Sequence, residues 1–170
     1  MRALVRDPVR NSGCARDLAD RGIDLSFGDV RDDAVLAAAV AKVEVVYHIA
    51  AVYRQAGIPT EVYRAVNAVA SGRIVEAAAR EGVRRVVHCS TVGVHGDVEH
   101  PPANEDAPLR PGDIYQTTKL EGERFARDAA DRSGIEVTIV RPSAIYGPGD
   151  RRLLKLFRAL LQILRLLLKL

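Results

Sequence analysis

Cysteine is scarce in this 170-residue chain, which holds two, Cys14 and Cys89. Two such distant thiols make neither a disulfide framework nor a zinc-ligand set, and they read as buried, reduced side chains of a cytoplasmic protein. The four histidines, His48, His88, His95 and His100, lack metal-ligand spacing, so no metal site is expected. No signal peptide is expected ahead of the fold, because the first residues already read as a strand. A basic face for nucleic acid is lacking too. The net charge is +3, but residues 151–170 carry Arg151, Arg152, Lys155, Arg158, Arg165 and Lys169 with no acid, a local +6 that leaves −3 for the rest. Charges also interrupt the apolar tail too often for a membrane span.

What is present suits one globular domain with a sizeable core, since 48% of residues are hydrophobic and 28% charged. Apolar, β-rich runs alternate with longer helical patterns. Strands are expected at residues 3–5, 23–27, 43–49, 83–89 and 135–140. The run at 43–49 lacks polar alternation, as expected of a strand covered on both faces. Helices are expected from about Ser12 to Asp20, from an Asp32 or Asp33 cap to Val40, from Pro59 to Glu81 with Gly82 as the stop, and around Tyr115 with Gly134 as the stop. This alternation predicts an α/β fold with a parallel sheet and helices on both faces. Ligands of such sheets bind beyond the carboxyl ends of the strands. Gly28-Asp29, Ala50-Ala51, Ser90-Thr91 and Pro142-Ser143 all fall there.

The stretch with chemistry in it is Asp113-Ile-Tyr-Gln-Thr-Thr-Lys. Tyr115 and Lys119 are four residues apart, which stacks them on one helix face. A fixed ammonium one turn away favours the phenolate and brings the tyrosine pKa toward the working range. Plain alternatives stand beside this. Ser90 and Thr91 could simply end a strand and cap the next turn, Asn67 could bond a backbone carbonyl, and His48 could be a packed strand-end residue.

Three stretches together resemble a known family. His88-Cys-Ser-Thr-Val-Gly-Val-His-Gly, Tyr115-Gln-Thr-Thr-Lys and Arg141-Pro-Ser-Ala-Ile-Tyr-Gly-Pro-Gly-Asp are similar, in this order, to the extended short-chain dehydrogenase/reductases, the NAD(P)-dependent epimerase/dehydratase group. Val46-Tyr-His-Ile-Ala-Ala and Asn67 agree with it, and the likeness covers about residues 1–155. It implies a Rossmann-like doubly wound sheet and hydride chemistry on a nucleotide sugar or a related alcohol or ketone. Thr91 would be the catalytic hydroxyl, with Ser90 as runner-up, Tyr115 the acid/base, and Lys119 the ribose holder that depresses the tyrosine pKa. Asp29 and Val30 would contact adenine, and Ala50 and Ala51 would wall the cofactor. Asn67 would belong to the same site, Pro142, Ala144 and Ile145 would approach the nicotinamide, and Tyr146 with Ser90 would meet substrate. Arg6 suits a 2′-phosphate, which favours NADP over NAD, although Asp7 could bind a ribose diol instead. The expected partner is a small-molecule substrate, with a homodimer left open.

The sequence departs from the resemblance at both ends. After the Gly147-Pro-Gly turn an apolar, basic tail stands where the family continues into a smaller substrate-binding region, and the opening strand and turn are not seen. Its glycines contain no Gly-x-x-Gly-x-x-Gly turn to hold a pyrophosphate, and the first strand here corresponds to the family's second. In the order 3-2-1-4-5-6 the absent strand is central. The two halves of the sheet should then present unpaired edges, unless the flanking strands close the gap. Residues 1–150 thus read as a truncated dinucleotide-binding domain and 151–170 as a basic amphipathic helix for a partner or a membrane surface, or packed on the sheet. The alternative function is a non-catalytic binding module.

Overall fold

The computed structural model describes residues 1–6, 12–145, 147 and 154–168. Five short strands, all parallel to their neighbours, alternate with helices. β1 (Arg2–Val5) leads through α1 (Ser12–Asp20) to β2 (Asp24–Phe27), with Leu4 facing Ser26. α2 (Asp33–Val40) comes next, capped by Asp32, whose carboxylate accepts from the Ala34 and Val35 amides at 2.8 and 3.2 Å. β3 (Val45–His48), β4 (Arg85–Cys89) and β5 (Glu136–Val140) form the second sheet in that order. The expected long helix is α3 (Thr60–Arg64) and α4 (Ala70–Arg80), joined by a π-helical turn over Ala65–Val69. No sequence signal announced that turn. α5 (Ile114–Ser133) starts at the Asp113 cap and ends where Gly134 takes φ 74°, a left-handed conformation that glycine adopts without strain.

The parallel, Rossmann-like order agrees with the sequence, and so does the gap. Among the described residues β1 pairs only with β2, and β3 pairs only with β4, so the two sheets do not close on each other. Helix α2 bridges them instead. Leu36 and Val40 of α2 pack in the main core with Ile74, Val75, Val86, Ala126 and Ala129, and Leu4 of β1 packs against that cluster. Arg2 reinforces the link by donating to the carbonyls of Ala38, Ala39 and Ala41 at the end of α2, at 3.0–3.3 Å.

The core lies on one side of β3–β4–β5, under α4 and α5. Val86 and His88 of β4 point into it, while Glu136, Thr138 and Val140 of β5 face outward. Tyr47 is 68% exposed, so the expectation that β3 is covered on both faces does not hold among the described residues. The π turn and α5 touch along a glycine: a Cβ on Gly122 would stand 2.2 Å from the Asn67 carbonyl oxygen. No other residue permits that approach.

Two smaller expectations are also corrected. Cys14 is exposed, because its position on α1 points to solvent, and Cys89 is half-buried. The C-terminal helix forms as expected, as α6 (Leu154–Leu168), but it is not packed on the sheet: Phe157, Leu160, Leu161, Ile163, Leu164 and Leu168 are all more than half exposed.

Candidate active site

The carboxyl ends of β4 and β5 and the start of α5 are laced into one edge. The Ser90 amide donates to the Val140 carbonyl at 2.7 Å, and the Val92 amide donates to the Pro142 carbonyl at 3.0 Å. Thr91 then caps a 3₁₀ turn, Val92–His95, by accepting from the Gly93 amide at 3.1 Å. That turn abuts α5, since a Cβ on Gly93 would lie 2.9 Å from the Gln116 side-chain nitrogen. Thr91 and Tyr115 thus flank one junction. The capping reading of Thr91 and its place at this edge hold together.

Lys119 is the most telling residue of the edge. It is 1% exposed, and its Nζ has no hydrogen-bond partner among the described residues. Burial lowers its pKa to about 8. An ammonium kept out of water without a partner is costly, and the donor is of the type that a ribose hydroxyl would satisfy. The nicotinamide-ribose end of a dinucleotide therefore fits the residues present. The Gly-x-x-Gly-x-x-Gly pattern of a pyrophosphate turn does not occur in the sequence.

Tyr115 differs from its sequence expectation in one respect. Its pKa is raised, chiefly by burial, with Cys89, Tyr53 and Asp113 adding to the rise and Arg54 opposing it. Lys119 is not among the groups that lower it: at a pKa of about 8 it has lost its charge before a phenol raised above its ordinary 10.0 titrates. The Tyr115 ring instead meets the Tyr53 ring edge-on, with centroids 4.9 Å apart.

Beneath the edge lies a buried network that the sequence alone did not reveal. Glu123 is fully buried and receives a hydrogen bond from Ser90 Oγ at 2.6 Å and a two-pronged one from Arg141 at 2.9 and 2.8 Å. Arg127 adds a contact at 3.1 Å. Burial pushes the Glu123 carboxyl up, but the bonds from Arg141 and Ser90 and the two guanidinium charges outweigh it and hold it below the usual range. Ser90 is thereby spent on Glu123 and is not open to substrate. The signal was available in the spacing, because Tyr115, Lys119 and Glu123 recur every fourth residue.

Asn67 takes the plain reading. Its amide exchanges hydrogen bonds with Val52, at 2.8 Å to the Val52 amide and 3.0 Å to its carbonyl, and it donates to Thr118 at 3.1 Å. Both of its side-chain polar atoms are spent on Val52 and Thr118, so they are not offered to a cofactor, which corrects its place among the cofactor residues. His48 is likewise a packed residue, 3.2 Å from Ser71 Oγ and 5.2 Å from the His88 ring. Burial takes the His88 pKa down to about 3.

The remaining positions lie where ligand could reach them. Ala50, Ala51 and Ala144 are exposed, as is Ile145, while Pro142 is half-buried. At the other half-sheet Arg6 is exposed beyond β1. Asp29 is already engaged: Arg31 donates to its two oxygens at 2.8 Å each, and that hydrogen bonding lowers the Asp29 pKa. Val30 packs between the two apolar clusters, which leaves it a wall at most. Tyr146 and Asp7 lie outside the described residues. Among those described, no group of histidine, cysteine and acidic side chains could hold a metal, and no helix is long and apolar enough to cross a membrane.

Comparison with known proteins places this geometry. The family model for NAD-dependent epimerases and dehydratases matches residues 2–166. Sterol demethylase protein B of Methylococcus capsulatus is 37% identical over 152 residues, covering 87% of this chain and 46% of that protein. A 3β-hydroxysteroid-dehydrogenase/decarboxylase of Arabidopsis thaliana is 31% identical over 156 residues, covering 89% of this chain and 28% of its own length. Among solved structures, a dTDP-glucose 4,6-dehydratase from Streptomyces venezuelae with bound NAD superimposes with a TM-score of 0.76 at 28% identity, over 88% of this chain and 48% of that one. The chain spans less than half the length of these relatives.

Proposed function

The chain belongs to the NAD-dependent epimerase/dehydratase family, and from that premise we propose that its Tyr115 edge performs hydride chemistry on a secondary alcohol or ketone. The observation that carries this reading is the buried Lys119 ammonium one helical turn below Tyr115, without a hydrogen-bond partner among the described residues. A bound nicotinamide supplies the hydride acceptor or donor. The chain's own residues do the rest. Lys119 holds a ribose hydroxyl, Tyr115 takes the substrate hydroxyl proton or returns it, and Thr91 donates to the substrate oxygen. The Glu123–Arg141–Ser90 network keeps the Thr91 turn and the first turn of α5 in fixed register.

The substrate class follows the relatives as far as their names go. They include proteins named for sterols and for nucleotide sugars. A nucleotide sugar or a sterol-like alcohol is thus the proposed substrate. Exposed Arg6 favours NADP by its charge, whereas the Streptomyces dehydratase was solved with NAD. Residues 1–150 form the cofactor domain in this reading, with 151–170 a separate basic helix.

Titration with NADPH and NADH, followed by cofactor fluorescence, tests the proposal. Saturable binding that disappears in Lys119→Ala is the expected result, with hydride transfer to a panel of sterol ketones and nucleotide 4-keto sugars as the next assay. A folded chain that binds neither cofactor contradicts it. That outcome would favour a non-catalytic module, the reading suggested by the missing phosphate turn.

A further inference from the structure

Between β3 and α3 the chain makes a loop that is tied down at two points. Asn67 grips the backbone of Val52 from both sides, at 2.8 and 3.0 Å. Tyr63 Oη does the same for Gln55, accepting from its amide at 2.8 Å and donating to its carbonyl at 3.1 Å. Tyr53 and Arg54 sit between these anchors, so their backbone is fixed although their side chains are half exposed. Both side chains turn toward Tyr115. The Arg54 guanidinium lies 5.8 Å from the Tyr115 ring centre and 5.6 Å from that of Tyr53, within cation–π range. Asp113 holds it there, with Oδ2 accepting from Arg54 Nε and a terminal nitrogen at 2.7 Å each. The other Asp113 oxygen caps α5 through the Gln116 amide at 2.8 Å. One carboxylate therefore fixes the start of the Tyr115 helix and the cation beside it.

We propose that Arg54 is a positioning residue for Tyr115: locked by Asp113, it seats the phenol ring against Tyr53 and keeps a full positive charge beside it. This rests on the reading of Tyr115 as the proton-transfer group. The groups facing the phenol are Cys89 at the end of β4, Tyr53 and Arg54 from the loop, and Asp113 and Lys119 on its own helix and cap. Burial, Cys89, Tyr53 and Asp113 all push the phenol up, and Arg54 is the cation that pulls it back. Lys119, at a pKa of about 8, has lost its charge before the phenol titrates and so cannot serve. Arg54 stays charged throughout, raised further by its hydrogen bond to Asp113.

The phenol can be titrated directly by NMR of ring-labelled tyrosine, with Tyr115→Phe assigning the resonance. Arg54→Gln should raise the Tyr115 pKa by about half a unit to one unit, the size expected of a charge ~6 Å away near the surface. Arg54→Met, which retains the apolar stem, should give the same rise even if the glutamine variant folds poorly. Arg54→Lys should give less than half of it. An unmoved titration in either folded neutral variant overturns the proposal, and so does a lysine variant that moves as far as the neutral ones. The measurement needs neither cofactor nor substrate. A chain that shifts as stated yet binds no NADH refutes the proposed function and leaves the Arg54 assignment standing.

Discussion

The two halves of the sheet are built by different means. Around β3, β4 and β5 the space under the strands is closely packed, and most of its buried polar groups are paired: Glu123 with Arg141, Ser90 and Arg127, and Asn67 with Val52 and Thr118. Around β1 and β2 the strands pair with each other, and Arg2 clips them to the end of α2, but Phe27 at the end of β2 stays half exposed. The first half carries its own scaffold and holds Thr91, Tyr115 and Lys119. The second contributes the Arg6–Asp29 corner through a single bridging helix. The proposed proton chemistry needs groups fixed to fractions of an ångström, which the over-determined half supplies.

If that contrast is right, damage to the network beneath the edge should be the most severe. Glu123→Gln leaves Arg141 buried without its carboxylate, and denaturant unfolding should report a loss of about 3–5 kcal/mol. An equivalent cut in the other half, Arg2→Gln, should cost less than about 1 kcal/mol. Similar losses at both sites would erase the distinction. Lys119→Met should act in the opposite sense. It removes an unpartnered buried ammonium, so the chain should gain about 1–3 kcal/mol at pH 7 while losing cofactor binding.

The pH dependence of that gain can be stated. Lys119 has a folded pKa of about 8 against an ordinary 10.5, so the unfolded chain binds more protons between those values. Stability attributable to Lys119 therefore rises with pH across that window, and the Lys119→Met variant should lack this rise. His88 works at the acid end. Its folded pKa of about 3 against an ordinary 6.5 means that stability falls as pH drops between them, and His88→Leu should blunt the fall in acid-unfolding curves. The smallest difference is expected along the helix seam. Gly122→Ala forces a Cβ against the Asn67 carbonyl and should cost about 1–3 kcal/mol, whereas Gly72→Ala meets the Phe125 Cβ and carbonyl oxygen at 3.3 Å, a crowding of only a few tenths of an ångström, and should cost under about 1 kcal/mol.

Much of the first half was legible in sequence because local rules govern it. The Gly134 stop and the Tyr115–Lys119 spacing are set within a few residues and are found in place, and so, on the bridging helix, is the cap expected at Asp32 or Asp33. What could not be read depends on contacts across long stretches of chain. Arg54 meets Asp113 from 59 residues away, and Glu123 meets Arg141 from 18 away. The π turn at Ala65–Val69 escaped for a related reason. It turns Asn67 toward Val52 and Thr118, a tertiary demand with no periodic signature. Spacing puts Lys119 on the expected face beside Tyr115 without saying how deep it lies, and burial takes its pKa to about 8, below that of the phenol. The gap between β1 and β3 was read from a missing pattern, and the separate sheets agree with it.

Amide hydrogen exchange with and without NADH tests the central claim most directly, that the finished half alone holds the nicotinamide end. Without ligand, β4 and α5 should exchange at least about 100-fold more slowly than β1 and β2. On adding NADH, further slowing should appear at residues 90–93 and at the first turns of α5, and it should vanish in Lys119→Ala. Uniform protection of both halves, or slowing confined to β1, β2 and the turn at Gly28 and Asp29, would contradict the account.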